Sequence, residues 1–329
     1  MIIDAPDLWL AWLALPLSTL TVWLLSRGRA ARLALDHPNA RSLHSTPIPR
    51  TGGLGIVAGV AVAWSLIGIP LPTALWGGAA LLAALSFADD RYGLPTGVRF
   101  LAHGLAALWL VASLASAWPL WLCLLAVLAI VWMTNLYNFM DGADGLAGGM
   151  ALFGFGFLTL AAVLQGQPQT APALLAVSAA ALGFLLFNLP PARVFMGDAG
   201  SISLGFVAAG AGLLGVVQGI WPLSFPVLVF LPFIADASVT LLRRGLRGEK
   251  IWRAHKEHYY QRLIRMGWSH RKTALAEYGL MLGSGGVALL ALNASPAMAL
   301  LAGSSWVATI GVLMVRVDMR WRAFEQHAA

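Results

Sequence analysis

The sequence predicts an all-α integral membrane protein, a polytopic bundle of about eleven transmembrane helices. Two features of its 329 residues support this prediction: 59% are hydrophobic and only 11% are charged. Soluble domains carry about 25% charged residues, so this chain has too few to cover a surface that faces water. The composition therefore excludes a soluble globular enzyme and a disordered chain, and the single cysteine excludes a scaffold of intrachain disulfides.

Eleven segments are long and apolar enough to cross a membrane, which requires about 20 mostly apolar residues. Short connections with Pro and Gly separate several of them, as expected for tight turns. No soluble domain interrupts the series, so residues 1–329 are predicted to form one transmembrane domain. In chain order the predicted spans are 8–25, 52–69, 71–88, 99–116, 119–134, 146–164, 171–188, 201–217, 222–242, 274–293 and 297–315.

The distribution of Lys and Arg predicts the orientation of this bundle. Neither residues 1–7 nor the connections on their side of the membrane contain a basic residue. Those connections are 70–72, 117–119, 165–170, 218–221 and 294–296. All 21 basic residues thus lie on or near the other side, which the positive-inside rule assigns to the cytoplasm. The N-terminus is predicted outside and the C-terminus in the cytoplasm.

Most of the unusual polar residues occur in connections that are predicted to be cytoplasmic. These connections are 41–53, 88–99, 135–149, 188–201 and 243–273. Asp89 and Asp90 are adjacent acids at the end of an apolar span. Like charges side by side require a compensating cation or proton, although a helix end that faces water would also accommodate them.

Three oxygen-bearing residues, Asn138, Asp141 and Asp144, are spaced by three. At helical spacing their side chains would lie on one side of a turn, while Gly142 and Gly145 favour a break of the helix there. A polar loop with Asx turns is the alternative. Because acids at membrane depth are energetically expensive, a functional role is the stronger interpretation.

Asp198 precedes the eighth span within a run of small residues. It could cap that helix, or it could belong to a phosphate site at the helix N-terminus. Together the connections hold five carboxylates and an Asn, which are hard oxygen ligands suited to Mg²⁺. Arg residues surround them at positions 50, 91, 99 and 193. Carboxylates that can bind a metal, next to basic residues that can bind phosphates, form the composition expected of a phosphoryl-transfer site.

The basic connection 243–273 contains His255 and His258, which would share a face on a helix. With Arg253 and Lys256 they could bind an anion, whereas a zinc site lacks further ligands nearby. The segment could also lie on anionic lipid. Nucleic acid is not an expected partner, because the basic residues lie in a short connection beside the membrane. Asp236, in the cytoplasmic half of a span, is expected to bond a neighbouring helix.

Four motifs occur in a fixed order: Asp89-Asp90, NFMDGADGLAGG from Asn138, FMGDAGS from Phe195, and HKEH from His255. In this the chain resembles the polyprenyl-phosphate N-acetylhexosamine-1-phosphate transferases, which include the phospho-MurNAc-pentapeptide transferases. The latter carry a three-histidine run where this chain has HKEH. The resemblance therefore favours the bacterial members that initiate O-antigen or other surface glycans, with the pentapeptide transferases as the alternative.

The resemblance implies a reaction in which an N-acetylhexosamine 1-phosphate passes from a UDP-sugar to undecaprenyl phosphate and UMP leaves. It also implies Mg²⁺, with Mn²⁺ as an alternative, and a site on the cytoplasmic face of the bacterial inner membrane. By motif position it assigns residues to three roles. The catalytic residues are Asp89, Asp90 and Asp141; the metal contacts are Asp198 and Asn138; and the substrate-binding residues are Asp144, Asn188 and Phe195 at the uridine, His255 and His258 at the diphosphate and sugar, and Arg50 and Arg193.

A transporter or flippase for a polyprenyl-linked or anionic solute is the alternative from another class. It would account for the spans and the basic connections. Transporters, however, commonly place their acids near the bilayer centre, whereas these acids gather at one interface. Besides the two substrates, membrane lipid is the expected partner, and a homodimer is left open. The identity of the sugar, and direct attack versus an aspartyl-phosphate intermediate, are also left open.

Overall fold

Helices form nearly all of the regular structure in the computed structural model, which describes residues 8–36, 47–68, 71–250 and 255–328. The strands within these residues are the short antiparallel pair β1 (Leu35–Asp36) and β2 (Ile48–Pro49). The all-α prediction is confirmed. The helices are α1 (Leu8–Ala11), α2 (Ala14–Leu25), α3 (Gly52–Ile67), α4 (Thr73–Tyr92), α5 (Thr96–Leu114), α6 (Leu120–Phe139), α7 (Leu146–Leu164), α8 (Ala171–Asn188), α9 (Asp198–Val217), α10 (Ser224–Val229), α11 (Leu231–Leu246), α12 (Tyr259–Arg265), α13 (His270–Leu292) and α14 (Pro296–Ala328).

Each predicted span coincides with one helix or with two consecutive helices. The ninth span is divided at Phe230 into α10 and α11, because Pro232 has no N–H group to continue the helical hydrogen bonds. Eight helical segments among the described residues are long and apolar enough to cross a membrane. This confirms a multi-pass membrane protein, while the number eleven and the orientation stay predictions.

Proline residues mark where several helices begin. Pro72, Pro95 and Pro119 immediately precede α4, α5 and α6, and Pro172 and Pro232 lie in the first turns of α8 and α11. The first turn of a helix has N–H groups without helical partners, so a residue that lacks the N–H fits there. The short connections predicted from Pro and Gly therefore end where the helices start.

The core of the bundle lies around α7, α8 and α9. In an apolar 18-residue stretch of each helix, 78% of the residues are buried in α8 and in α9, against 6% in α14. Aromatic side chains such as Phe155, Phe184 and Phe206 fill the space between the central helices and are fully buried. Outer helices expose large apolar side chains, for example Leu128 and Leu300, which is the arrangement expected where the surrounding medium is lipid.

The start of α3 lies directly against the start of α9. A Cβ atom added at Gly53 would collide with the backbone of Gly200, and one added at Gly200 would collide with Gly53. The N–H groups of Gly52 and Gly53 donate to the carbonyls of Phe195 and Met196 at 2.9 and 2.8 Å. This glycine contact brings the segment before α3 and the segment before α9 to one place.

Candidate active site

Arg50 and two acids meet where α3, α4 and α9 come together. The Nη2 atom of Arg50 lies 3.3 Å from Oδ1 of Asp90 and 3.6 Å from Oδ1 of Asp198. The backbone N–H of Asp198, at the start of α9, donates to Oδ2 of Asp90 at 3.2 Å. Asp90 therefore caps α9, where the helix dipole favours a negative charge, and its side chain is almost completely buried.

A second arginine closes the other side of this cluster. The Nη1 atom of Arg99 lies 2.7 Å from Oδ2 of Asp89 and 3.8 Å from Oδ2 of Asp198. The Oδ1 atom of Asp89 accepts the N–H of Leu94 at 2.6 Å, within the turn that follows α4. Asp198 thus lies between two guanidinium groups, and Asp89 and Asp90 each face a different arginine.

Asn138 and Asp141 complete the cluster from the end of α6. The amide oxygen of Asn138 accepts a hydrogen bond from the hydroxyl of Ser201 at 2.8 Å. Burial raises the pKa of Asp198, and the nearby amide of Asn138 opposes that rise. Asp141 lies just beyond the helix, close enough to interact electrostatically with Asp198 and Arg50. The structure therefore brings together the acids Asp89, Asp90, Asp141 and Asp198, hereafter the acid cluster.

Among the described residues, Arg50 and Arg99 are the two cations paired with the acid cluster, so negative charge exceeds positive charge there when the four acids are ionised. Burial, together with the charge of Asp198, raises the pKa of Asp90 to about 7, although Arg50 opposes the rise. Burial and Asp198 also raise the pKa of Asp141 well above its usual range. A cation bound here would relieve this repulsion.

The donor set fits Mg²⁺ by its chemistry. No group of three or more acid, His or Cys side chains with the geometry of a metal site occurs within the described residues. Mg²⁺, however, is commonly held by one or two carboxylates and completes its shell with water and substrate phosphates. Asp198 and Asn138, which lie close enough to interact, offer one carboxylate and one amide oxygen for such a site.

Asp144 does not join the acid cluster. The helix α6 ends at Phe139, so the expectation that Asn138, Asp141 and Asp144 lie on one side of a helical turn is wrong. The Oδ2 atom of Asp144 accepts the N–H of Ala192 at 3.0 Å, and Oδ1 lies 3.1 Å from Nδ1 of His270. Asp144 instead connects the loop after α6 with the loop after α8 and with α13.

The other two residues predicted at the uridine are Asn188, which ends α8, and Phe195, which lies in the loop after α8. The buried amide of Asn188 accepts the N–H of Gly145 at 2.9 Å and donates to the carbonyl of Val194 at 2.8 Å. The backbone N–H of Phe195 donates to the carbonyl of Pro49 at 2.8 Å. Asn188 therefore fixes the shape of these loops through the backbone, and the uridine-binding roles stay predictions.

Arg193 lies on the outside of the loop after α8. Its Nη2 atom donates to the carbonyl of Leu186 at 2.8 Å, and its guanidinium lies 5.2 Å from the ring centre of Phe187. The side chain is exposed and packs on the end of α8 rather than on the acid cluster. Its predicted role in substrate binding stays a prediction.

His255 and His258 precede α12 and are not part of a helix, so the expectation of a shared helical face is wrong. Their rings are nevertheless adjacent, with centroids 4.8 Å apart. Burial, with the charges of His258 and Arg244, lowers the pKa of His255 to about 4. His255 is thus neutral at pH 7 and would bind a substrate by hydrogen bonds. Arg253, predicted to assist, lies outside the described residues.

The segment that begins α12 is attached to the end of α6. The hydroxyl of Tyr260 donates to the carbonyl of Phe139 at 3.1 Å, one residue after Asn138. The expectation that Asp236 bonds a neighbouring helix is confirmed, since its carboxylate accepts the N–H groups of Tyr259 and Tyr260 at the start of α12. These contacts bring the segment of the two histidines to the end of α6, one residue from Asn138.

Two residues that the sequence did not single out hold these loops. Asp318, on the last part of α14, accepts hydrogen bonds from Arg243 at 2.6 Å, from Arg262 at 2.8 Å and from the hydroxyl of Tyr259 at 3.1 Å. The second residue is His270, which contacts Asp144 as described above. Both lie far along the chain from their partners, and no motif or spacing connects them, so the sequence alone contains no signal for either contact.

Comparison with known proteins finds relatives over most of the chain. The sequence model described as glycosyl transferase family 4 matches residues 72–216, which include the whole acid cluster. The chain is 34% identical over 263 residues to a probable undecaprenyl-phosphate N-acetylglucosaminyl 1-phosphate transferase of Bacillus subtilis, with 74% of each chain covered. It is 31% identical over 305 residues to a decaprenyl-phosphate N-acetylglucosaminephosphotransferase of Mycobacterium tuberculosis, covering 77% of this chain and 74% of the relative. It is also 31% identical over 321 residues to a phospho-N-acetylmuramoyl-pentapeptide-transferase of Thermosynechococcus vestitus, covering 81% and 83%.

Proposed function

The chain belongs to glycosyl transferase family 4, and from that premise we propose that it transfers an N-acetylhexosamine 1-phosphate from a UDP-sugar to undecaprenyl phosphate. The observation that carries the proposal is the acid cluster with its two arginines, assembled at helix ends within a membrane bundle. The names of the relatives make N-acetylglucosamine the first sugar to test. The product would be the first lipid-linked intermediate of a surface glycan.

In the proposed reaction an oxygen of the lipid phosphate forms a bond to the phosphorus that carries the sugar, and the bond from that phosphorus to the UMP oxygen breaks. Both substrates are anionic, so the reacting phosphorus needs positive charge around it. Arg50 and Arg99 supply part of this charge on opposite sides of Asp198. The carboxylates of Asp89 and Asp90 hold these two guanidinium groups in place.

We assign the metal role to Asp198 and Asn138, with Asp141 nearby. Mg²⁺ bound there would neutralise diphosphate charge and stabilise the departing UMP. The support is the donor chemistry of these side chains and the excess of negative charge in the acid cluster. We also assign this site to the cytoplasmic face of the inner membrane, because the basic residues of the sequence are concentrated on that side.

A second candidate is the pentapeptide transferase reaction, with a UDP-MurNAc-pentapeptide as donor. It is favoured by the extent of the match to the Thermosynechococcus relative and opposed by the HKEH sequence in place of three histidines. A transporter is less consistent with the geometry. Four acids lie together beyond or at the ends of helices and are paired with two arginines, rather than near the middle of a span.

The test is a transfer assay with purified protein, undecaprenyl phosphate and a panel of UDP-sugars that includes UDP-N-acetylglucosamine and UDP-MurNAc-pentapeptide. We expect UMP release that depends on the lipid phosphate and on one class of donor. Asp198→Asn should abolish it. Glu277→Gln is the matched control, because Glu277 is also a buried acid but forms no contact with the acid cluster. No UMP release with any donor would refute the proposed function.

A further inference from the structure

A cavity lies between α11, α13 and α14, beside the short helix α12. Its volume is about 490 Å³, which is within the range of small-molecule sites, roughly 300–1,000 Å³. Most of the side chains along its wall are apolar, among them Leu263, Trp268, Leu280, Leu313 and Met314. The wall contains no residue of the acid cluster, so the cavity is separate from the proposed transfer site.

Among the described residues, Glu277 on α13 is a buried acid without a partner. It is 7% exposed and lines the cavity, but it forms no hydrogen bond or ion pair with any described residue. Asp236, the other acid in the wall, differs, because its carboxylate already accepts the N–H groups of Tyr259 and Tyr260. A buried carboxylate without a donor is costly. Glu277 therefore indicates a ligand that brings N–H donors and positive charge.

Two arginines on α14 line the same cavity. Arg316 and Arg320 are one turn apart and exposed, and neither has an ion pair within the part of the chain that the structure describes. They directly follow the predicted span 297–315, so they lie at the level of the lipid head groups. Arginine in this position is suited to bind the phosphate of a lipid.

The antiparallel packing of α13 and α14 determines the relative depth of these charges. The indole N–H of Trp306 donates to the hydroxyl of Ser284 at 2.8 Å. Glu277 and Leu313 are each seven residues from this pair and therefore lie at similar depth, and Arg316 is about 4.5 Å further along α14. Side chains lean toward the N-terminus of their helix, which brings the carboxylate of Glu277 and the guanidinium of Arg316 closer in depth. A ligand held by both must carry a positive and a negative group close together.

We propose that this cavity binds a membrane phospholipid with a primary ammonium in its head group, as in phosphatidylethanolamine. The ammonium donates to Glu277, the phosphate accepts from Arg316 and Arg320, and part of an acyl chain lies along the apolar wall. Such a lipid enters from the bilayer, because Leu313 and Met319 line the cavity and are also exposed on the outside of α14. This site goes beyond the transfer reaction and uses none of its residues.

The test is native mass spectrometry of the purified full-length protein in an equimolar mixture of phosphatidylethanolamine, phosphatidylcholine and phosphatidylglycerol with identical acyl chains. We expect phosphatidylethanolamine to be retained about tenfold more than each of the others, as expected from one hydrogen bond between charged groups. The ammonium of phosphatidylcholine has no N–H for Glu277, and phosphatidylglycerol has no ammonium. Equal retention of all three lipids would indicate an apolar groove alone, and a preference for phosphatidylglycerol would indicate binding of phosphate alone. Either result overturns the proposal.

Variants test whether the retained lipid occupies this cavity. Glu277→Gln should reduce the preference for phosphatidylethanolamine over phosphatidylcholine to near one, and Arg316→Gln should weaken retention of all three lipids. Arg322→Gln is the matched control, because Arg322 is also exposed on α14 but does not line the cavity. Ala276→Trp, which fills the cavity from α13, should release the lipid even if Glu277→Gln did not fold. An unchanged preference in Glu277→Gln, or unchanged retention in Ala276→Trp, would overturn the proposal. The measurement involves no turnover, so its result is independent of the proposed function.

Discussion

Replacing Asp90 with Asn should stabilise the metal-free protein while it abolishes transfer. The raised pKa of Asp90, from 3.8 to about 7, means that the fold holds the neutral acid better than the carboxylate. Stability is therefore lost progressively as the pH rises from about 4 to about 7 and stays lost above that. Asn resembles the neutral acid and removes this penalty.

The shift of Asp90 corresponds to roughly 4 kcal/mol, at about 1.36 kcal/mol per pKa unit. The amide nitrogen of Asn must face either Arg50 or the N–H of Asp198, both of which are donors, so we expect about half of this gain at pH 8, on the order of 2 kcal/mol. That corresponds to a rise of several degrees in the melting temperature.

The adjacent acid gives a matched control of opposite sign. Asp89 accepts the N–H of Leu94 and pairs with Arg99 at 2.7 Å, so Asp89→Asn removes a satisfied carboxylate and should lower stability by about 1 to 3 kcal/mol. Melting curves of the purified variants in EDTA, measured between pH 5 and 9, test both changes. The reasoning is refuted if Asp90→Asn melts below the wild type at pH 8, or if its difference from the wild type does not shrink at pH 5.

Three further outcomes are expected. Transfer should stop in EDTA and return when Mg²⁺ or Mn²⁺ is added, because the acid cluster needs a cation when anionic substrates are bound. Full turnover in EDTA would contradict the metal assignment. Gly53→Ala should lower the melting temperature, because the added Cβ atom would collide with Gly200. The control Gly104→Ala in α5 should not lower it, because a Cβ atom there has no neighbour within 4 Å. Equal effects of the two substitutions would contradict the glycine contact. A cysteine introduced at Gln167 should react with an impermeant thiol reagent added outside the cell. A cysteine introduced at Lys250 should not react, because the basic connections are predicted to be cytoplasmic. The opposite labelling pattern would show that the orientation is reversed.

The sequence predicted the fold class well because composition and apolar run length are local properties. It also predicted most of the acid cluster, since acids at the ends of apolar spans had to lie at one interface. The expectation for Asp144 failed because α6 ends at Phe139, and residues beyond a helix end no longer follow helical spacing. The same reason explains why His255 and His258 do not share a helical face.

Sequence patterns could not predict contacts between segments that lie far apart along the chain. The predicted role of Asn188 at the uridine stays a prediction, whereas the bonds by which its amide joins two loops through their backbones had no signal in the sequence. Asp318 holds Arg243, Arg262 and Tyr259 from a helix more than 50 residues further along the chain. Such pairs depend on how the helices pack against each other, which neither periodicity nor residue type encodes in a single sequence.

The capping of α9 by Asp90 has a consequence for biosynthesis. The two residues that share this hydrogen bond are 108 positions apart, and the four helices α5 to α8 lie between them along the chain. While the polypeptide emerges from the ribosome, Arg50 and Asp90 therefore wait without Asp198 until α9 has entered the membrane. A chain arrested before that point leaves the carboxylate of Asp90 without the N–H group that it accepts in the folded protein. The cap on α9, and the pairing of Arg50 with both acids, can therefore form only after the chain has been synthesised as far as Asp198.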